Sequence, residues 1–224
     1  MGGEITAGTA VLCPVGHASQ PPLQAIHSAA RALARLHSGA VLPESARTGA
    51  VEAARARKRA LRVAEIVPEL ADRAKSLADR IDERLEPEIP TRVPAHGSFK
   101  PAQLVFRDGQ VLITDFDQFC TADPALDVGY FLAYLRPASL WYGRRAARNW
   151  FEASARAFLS AYREAAAAGP LGLEMDGIVS RAPLYEAAVM FKIANRRFNR
   201  LQSLRPDELA AILGEIDACL AREA

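Results

Sequence analysis

His96-Gly97-Ser98-Phe99-Lys100-Pro101-Ala102-Gln103, Ile113-Thr114-Asp115-Phe116-Asp117 and Asp123-Pro124-Ala125-Leu126-Asp127 follow one another in a short span, and their order decides the fold. Between the first two, Gln103 to Phe106 and Gln110 to Thr114 are β-type runs joined by Arg107-Asp108-Gly109, which predicts a hairpin. Asp123 is an N-cap residue followed by proline at the first helical position, so a helix starts there and runs through Leu126, Tyr130 and Leu135. The span reads as loop, hairpin, acidic turn and helix. The hairpin thereby folds the acidic turn back toward the first loop.

The sequence on either side is helical. Upstream, Leu23, Ile26, Ala30, Leu33 and Leu36 recur at three- and four-residue spacing, which predicts a helix from Pro21 to Ser38 ended by Ser38-Gly39. Ala- and Arg-rich sequence then runs from Ser45 to Leu85, broken near Val67-Pro68, with Leu70, Ala74, Leu77 and Ile81 continuing a helical stripe. The prolines of Glu86-Pro87-Glu88-Ile89-Pro90 stop it. Downstream, helical stretches are expected over 144–168, 180–203 and 206–222, the last opened by Pro206-Asp207-Glu208. Before the first helix, Thr9 to Val15 reads as one strand or as part of a connecting segment.

Half of the 224 residues are hydrophobic and 24% are charged, which suits one soluble globular domain. The 28 Lys and Arg nearly balance the 26 Asp and Glu, so nucleic acid is not an expected partner. Cationic residues nevertheless cluster in Arg55-Ala56-Arg57-Lys58-Arg59 and from Lys192 to Arg200. Such runs read first as solvated helix faces, with a phosphate- or acid-binding patch as the alternative. Cys13, Cys120 and Cys219 are widely spaced and form no CxxC pattern, which points to a reducing cytoplasm and to neither a disulfide framework nor a zinc site. No apolar run approaches the ~20 residues that span a bilayer, and no export signal opens the chain, so a membrane is not an expected partner.

The three quoted stretches resemble the aminoglycoside phosphotransferase and choline kinase type of small-molecule kinase, within the protein-kinase-like superfamily. That family reads His-Gly-Asp-x-x-x-x-Asn, then Ile-Asp-Phe-Asp, then Asp-Pro-x-x-Asp, and the three motifs match here in order and spacing. Ala29 to Gly39 is similar to its Ala-Leu-Ala-x-Leu-His helix, so the resemblance covers about residues 9–224. It implies a mostly helical α+β fold, the C-lobe of a protein-kinase-like phosphotransferase with a small catalytic β-hairpin. Residues 20–224 would form this lobe, 92–128 its catalytic and metal loops, and 1–19 a remnant of the interlobe hinge, with Thr9 to Gly16 as the hinge proper. The N-lobe is expected to be absent, because Gly2-Gly3 and Gly8 make no glycine-rich loop and no lysine precedes Lys58.

The resemblance further implies transfer of phosphate from ATP, with Mg2+, to a hydroxyl of a small-molecule acceptor. Asp115 falls on the main magnesium-binding aspartate, with a turn residue as the alternative reading; Gln103 replaces the metal-ligand asparagine, one methylene longer. Lys100 lies two residues beyond Ser98, where it would neutralise the transferring phosphate, and Asp117 assists the metal or caps the next turn. Ser98 replaces the catalytic aspartate, and a hydroxyl is a far poorer base than a carboxylate. Two outcomes follow from the resemblance: a kinase whose N-lobe comes from a partner chain or upstream sequence, or a degenerate, pseudokinase-like lobe that binds a ligand or partner. The surface on which an N-lobe would sit predicts a homodimer or partner chain. Ser98 lacks the Gly-x-Ser-x-Gly setting of a hydrolase nucleophile, His96 reads as structural, and Asp127 as a lobe-stabilising carboxylate. His17, His27 and His37 have neither metal nor triad spacing, and the aromatics from Tyr130 to Phe151 read mainly as core, some of them lining an acceptor pocket.

Overall fold

The computed structural model describes residues 6–12, 20–85, 88, 90–108, 110–167, 169, 171–200 and 206–222, apart from the side chains of residues 9, 10 and 198–200 within two helices. Helices dominate: α1 (Gly8–Leu12), α2 (Leu23–His37), α3 (Gly49–Ile66), α4 (Ala71–Arg84), α5 (Pro124–Leu135), α6 (Arg145–Ala166), α7 (Met175–Arg200) and α8 (Pro206–Ala221). The strands are short: β1 (Thr6–Ala7), β2 (Ala46–Arg47), β3 (Val93–Ala95), β4 (Leu104–Arg107), β5 (Gln110–Ile113) and β6 (Cys120–Ala122). The mostly helical α+β class read from the sequence is the one observed.

Helix α5 is the centre of the lobe, with every residue except Tyr134 buried. Such an all-round apolar helix must be covered on all sides. Gly129 lets α7 approach it backbone to backbone, since a Cβ there would stand 2.6 Å from the Glu186 nitrogen and 2.8 Å from the Ala182 carbonyl oxygen. Helix α6 joins from another side through Phe131 and Phe158, whose rings stack 4.1 Å apart. Helix α2 packs Ile26, Ala29, Ala30, Leu33 and Ala34 into the same core. Behind α5, the buried Arg136 guanidinium pairs with Glu186 of α7 and Glu215 of α8, fixing three elements to one cation.

Among the described residues the strands form two three-stranded sheets. β4 and β5 form the expected antiparallel hairpin, registered from Leu104 opposite Ile113 to Arg107 opposite Gln110, with β1 added on the β4 side. Asp108 takes the left-handed conformation at its tip, φ 49°, while Gly109 of the predicted turn lies outside the described residues. In the second sheet β6 is central, parallel to β2 and antiparallel to β3.

Three expectations change. Gly8–Leu12 is helical, so the strand alternative for Thr9 to Val15 fails for its described part; residues 13–16, the rest of that segment and of the hinge expected over Thr9 to Gly16, lie outside the described residues. Helix α7 starts at Met175 and not near 180, because Pro183 is accommodated inside the helix and does not delay its start. The second sheet was not anticipated, since strands of two or three residues show no alternation.

Candidate active site

The site is built on a loop, residues 96–100, suspended from the first turn of α5. Asp127 is fully buried there and accepts from the His96 backbone N–H at 2.6 Å and the Phe99 N–H at 3.3 Å. Its Oδ2 also lies 3.3 Å from His37 Nε2, whose Nδ1 is 2.7 Å from the Tyr162 hydroxyl. An ionised carboxylate only accepts, so the geometry assigns the Nε2–H tautomer, with Nδ1 accepting from Tyr162. Burial opposes charge on Asp127, but the bond and field of His37, the field of His96 and the Phe99 N–H together hold its carboxyl below the usual range.

A second anchor comes from β2. Buried Arg47 donates to the Gly97 carbonyl and is itself gripped by Glu52, through Nε at 3.0 Å and Nη2 at 2.5 Å. Gly97 has φ +75°, and a Cβ there would fall 2.2 Å from the Gln118 carbonyl oxygen. Only glycine lets the 96–100 loop lie this close to the turn after β5.

These anchors place the predicted residues together. Gln103 Nε2 donates to the Ser98 hydroxyl at 3.0 Å and to Asp115 Oδ2 at 2.8 Å. Ser98 is buried, and its Oγ also lies 3.5 Å from His96 Nδ1. His96 Nε2 donates to the Thr114 carbonyl at 2.9 Å, so its other nitrogen is the bare one and faces the serine. Asp115 is exposed in the left-handed region, φ +64°, and the Gln103 bond, followed by the fields of Lys100 and His96, holds its carboxyl low despite some desolvation. Lys100 is half-buried with Nζ 5.9 Å over the Tyr134 ring; burial, then Lys192, lowers its pKa. Asp117 is exposed two residues beyond Asp115, its carbonyl accepting from Gln118 Nε2.

A magnesium ion suits this donor set. Mg2+ is held through one or two carboxylates plus phosphate oxygens and water, and Asp115 offers an ionised, exposed carboxylate. The Gln103 amide oxygen is buried with no partner, and a half-turn of that amide would aim it at the point its nitrogen now occupies beside Asp115. Among the described residues no cluster of three or more His, Cys, Asp or Glu forms a cage, so a cation here would draw its remaining ligands from phosphate and water. Sequence reasoning missed His37, Arg47 and Glu52. His37 and Arg47 reach the site across 90 and 50 positions, Glu52 acts only by gripping Arg47, and only the His37 end of the Ala29–Gly39 helix carried a signal.

A helical lobe, a β-hairpin and an acidic turn that meets a polar loop define the kinase-like class of fold. The chain belongs to the phosphotransferase enzyme family, whose family model matches residues 14–168. It is similar in structure to a glucosamine kinase, with a TM-score of 0.65 and 20% identity over 90% of this chain and 54% of that chain. A choline kinase from Cryptosporidium parvum gives a TM-score of 0.60 and 12% identity over 100% of this chain and 68% of that one. An ADP-bound aminoglycoside phosphotransferase gives 0.51 and 14%, over 88% and 60%. This chain therefore spans about half the length of the glucosamine kinase it matches. No curated protein sequence matches it.

Proposed function

We propose that this chain carries the metal- and acceptor-binding half of a small-molecule kinase that transfers the terminal phosphate of ATP to a hydroxyl group. The observation that carries this reading is the contact of Gln103 with both Ser98 and Asp115, at 3.0 and 2.8 Å, in a member of the phosphotransferase family. A magnesium ion bound with the nucleotide would neutralise charge on the transferring phosphate. Asp115 would hold that ion, assisted by the Gln103 carbonyl, and Lys100 would bind a phosphate oxygen from the other side. Ser98 orients the acceptor hydroxyl without removing its proton. Phosphoryl transfer depends mostly on positioning and electrostatics, so loss of the base slows the reaction without removing its logic.

A ligand-binding lobe that transfers no phosphate is the second reading. It is favoured by the burial of the uncharged Ser98 between Gln103 and His96. Calorimetry with Mg-ATP, comparing wild type with Asp115→Asn, tests the shared requirement. Saturable, magnesium-dependent binding that the variant loses is expected; absence of binding in the wild type would overturn the kinase reading. ADP formation in the presence of an acceptor then separates the two readings, with Ser98→Asp expected to raise the rate by about 10²-fold or more.

A further inference from the structure

The two cationic runs of the sequence meet in space. Asn195 of α7 donates to the Arg59 carbonyl of α3 at 3.0 Å, which brings Arg55–Arg59 beside Lys192–Arg196. Between these runs and the 96–100 loop stand Tyr130 and Tyr134, one turn apart on α5, with rings stacked 6.3 Å apart at 14°. Lys192 Nζ donates to the Tyr130 hydroxyl at 3.2 Å and lies 5.0 Å from that ring's centre, and Arg47 lies 5.7 Å from the same ring. Arg196 donates to the Tyr134 hydroxyl at 3.1 Å, and Lys100 stands over the Tyr134 ring.

Acidic partners do not balance this group. Glu52 is engaged by Arg47 and Arg55, and Asp115 by Gln103. Arg59, Lys100, Lys192 and Arg196 make no ion pair among the described residues, and Arg59 Nη1 is buried with no hydrogen-bond partner. Of these four cations Arg59 alone lines a cavity of about 640 Å³, together with Arg55, Lys58, Arg62 and Asn195, in which Glu65 pairs with Arg62; the other three gather beside it around Tyr130 and Tyr134. Burial, then Arg196, Arg59 and Arg47, pushes the Lys192 ammonium down to about 8, opposed by Glu52. Burial likewise lowers Arg59 and Lys100. The fold thus holds like charges together, partly out of water, against their repulsion, an arrangement that an anion would relieve.

We propose that Arg59, Lys192 and Arg196 bind a phosphate group that the acceptor already carries, with Lys100 left to the transferring phosphate, so that the substrate is a small phosphomonoester with a free hydroxyl. This rests on the kinase reading above. A dianion matches several cations and tyrosine hydroxyl donors better than a neutral or cationic acceptor does. In the reaction the free hydroxyl oxygen bonds to the γ-phosphorus of ATP, the bond from that phosphorus to the β,γ-bridging oxygen breaks, ADP departs with that oxygen and its electron pair, and the hydroxyl proton passes to water. The product carries two phosphates.

Titration of the full chain with inorganic phosphate at pH 7.5, with and without a saturating Mg2+ complex of a non-hydrolysable ATP analogue, tests the site. Saturable phosphate binding is expected, weakened about tenfold or more by Lys192→Met and by the exposed Arg196→Gln. Arg57→Gln, on α3 but paired with Asp82, should leave it unchanged. Binding should weaken above pH 8 as Lys192 loses its proton. Phosphate binding that persists with nucleotide present supports the acceptor site; one-for-one displacement by nucleotide would reassign the cations to ATP and overturn the proposal. Nucleotide binding without phosphate binding would also overturn it and leave the kinase reading standing. Phosphate binding without nucleotide binding would keep the anion site and remove the kinase reading.

Discussion

Asp127 and Asp115 touch the same loop and are built in opposite ways. Asp127 is fully buried and takes two backbone N–H bonds and one from His37, all from within the lobe. Asp115 is exposed, takes one bond from Gln103, and sits in a backbone conformation that non-glycine residues rarely adopt. One carboxylate completes its coordination inside the protein, whereas the other leaves oxygen lone pairs facing outward. Strain and unfilled acceptor capacity at the second, beside full satisfaction at the first, separate a residue that holds the loop from one that the loop presents.

Removing each carboxylate sharpens or breaks that contrast. Asp127→Ala should lower stability by about 3–5 kcal/mol in urea denaturation, since it strips a buried charge from its donors. Its folded pKa is depressed, so its stabilisation is complete above the ordinary carboxylate value of about 4 and is lost as pH falls through the folded value. The variant's stability should accordingly vary less with acid than the wild type's. Gly97→Ala comes next, at about 1–3 kcal/mol, because a Cβ must meet both the left-handed backbone and the Gln118 carbonyl. Smallest is Asp115→Asn, which should leave the denaturation midpoint where it is. If its midpoint falls as far as that of Asp127→Ala, Asp115 is a structural residue and the contrast fails.

Legibility in the sequence followed the length of the elements. The hairpin was found within a residue or so, from two β-type runs and a turn, and α5 from its aspartate-proline start. The second sheet was hidden because Ala46–Arg47 and Val93–Ala95 are too short for any period, and Pro94 argues against a strand when read alone. That Ser98, Gln103 and Asp115 are neighbours is legible because their spacing is local to one span. His37 was set aside as a histidine without metal or triad spacing, yet its bond to Asp127 crosses 90 positions, and Arg47 reaches Gly97 across 50. The cationic runs are visible, but read alone each is a solvated helix face. Only the crossing of α3 and α7 joins them.

The suspension of the 96–100 loop from Asp127 has a consequence in time. The His96 and Phe99 amides belong to no helix or sheet, and segments of that kind ordinarily trade hydrogen for deuterium quickly. Here both hydrogens point into a sealed carboxylate at the start of the central helix. Their exchange is therefore expected to be slow for a loop, waiting on the release of both bonds from Asp127, and a stretch drawn as a loop should keep time nearer to that of the core.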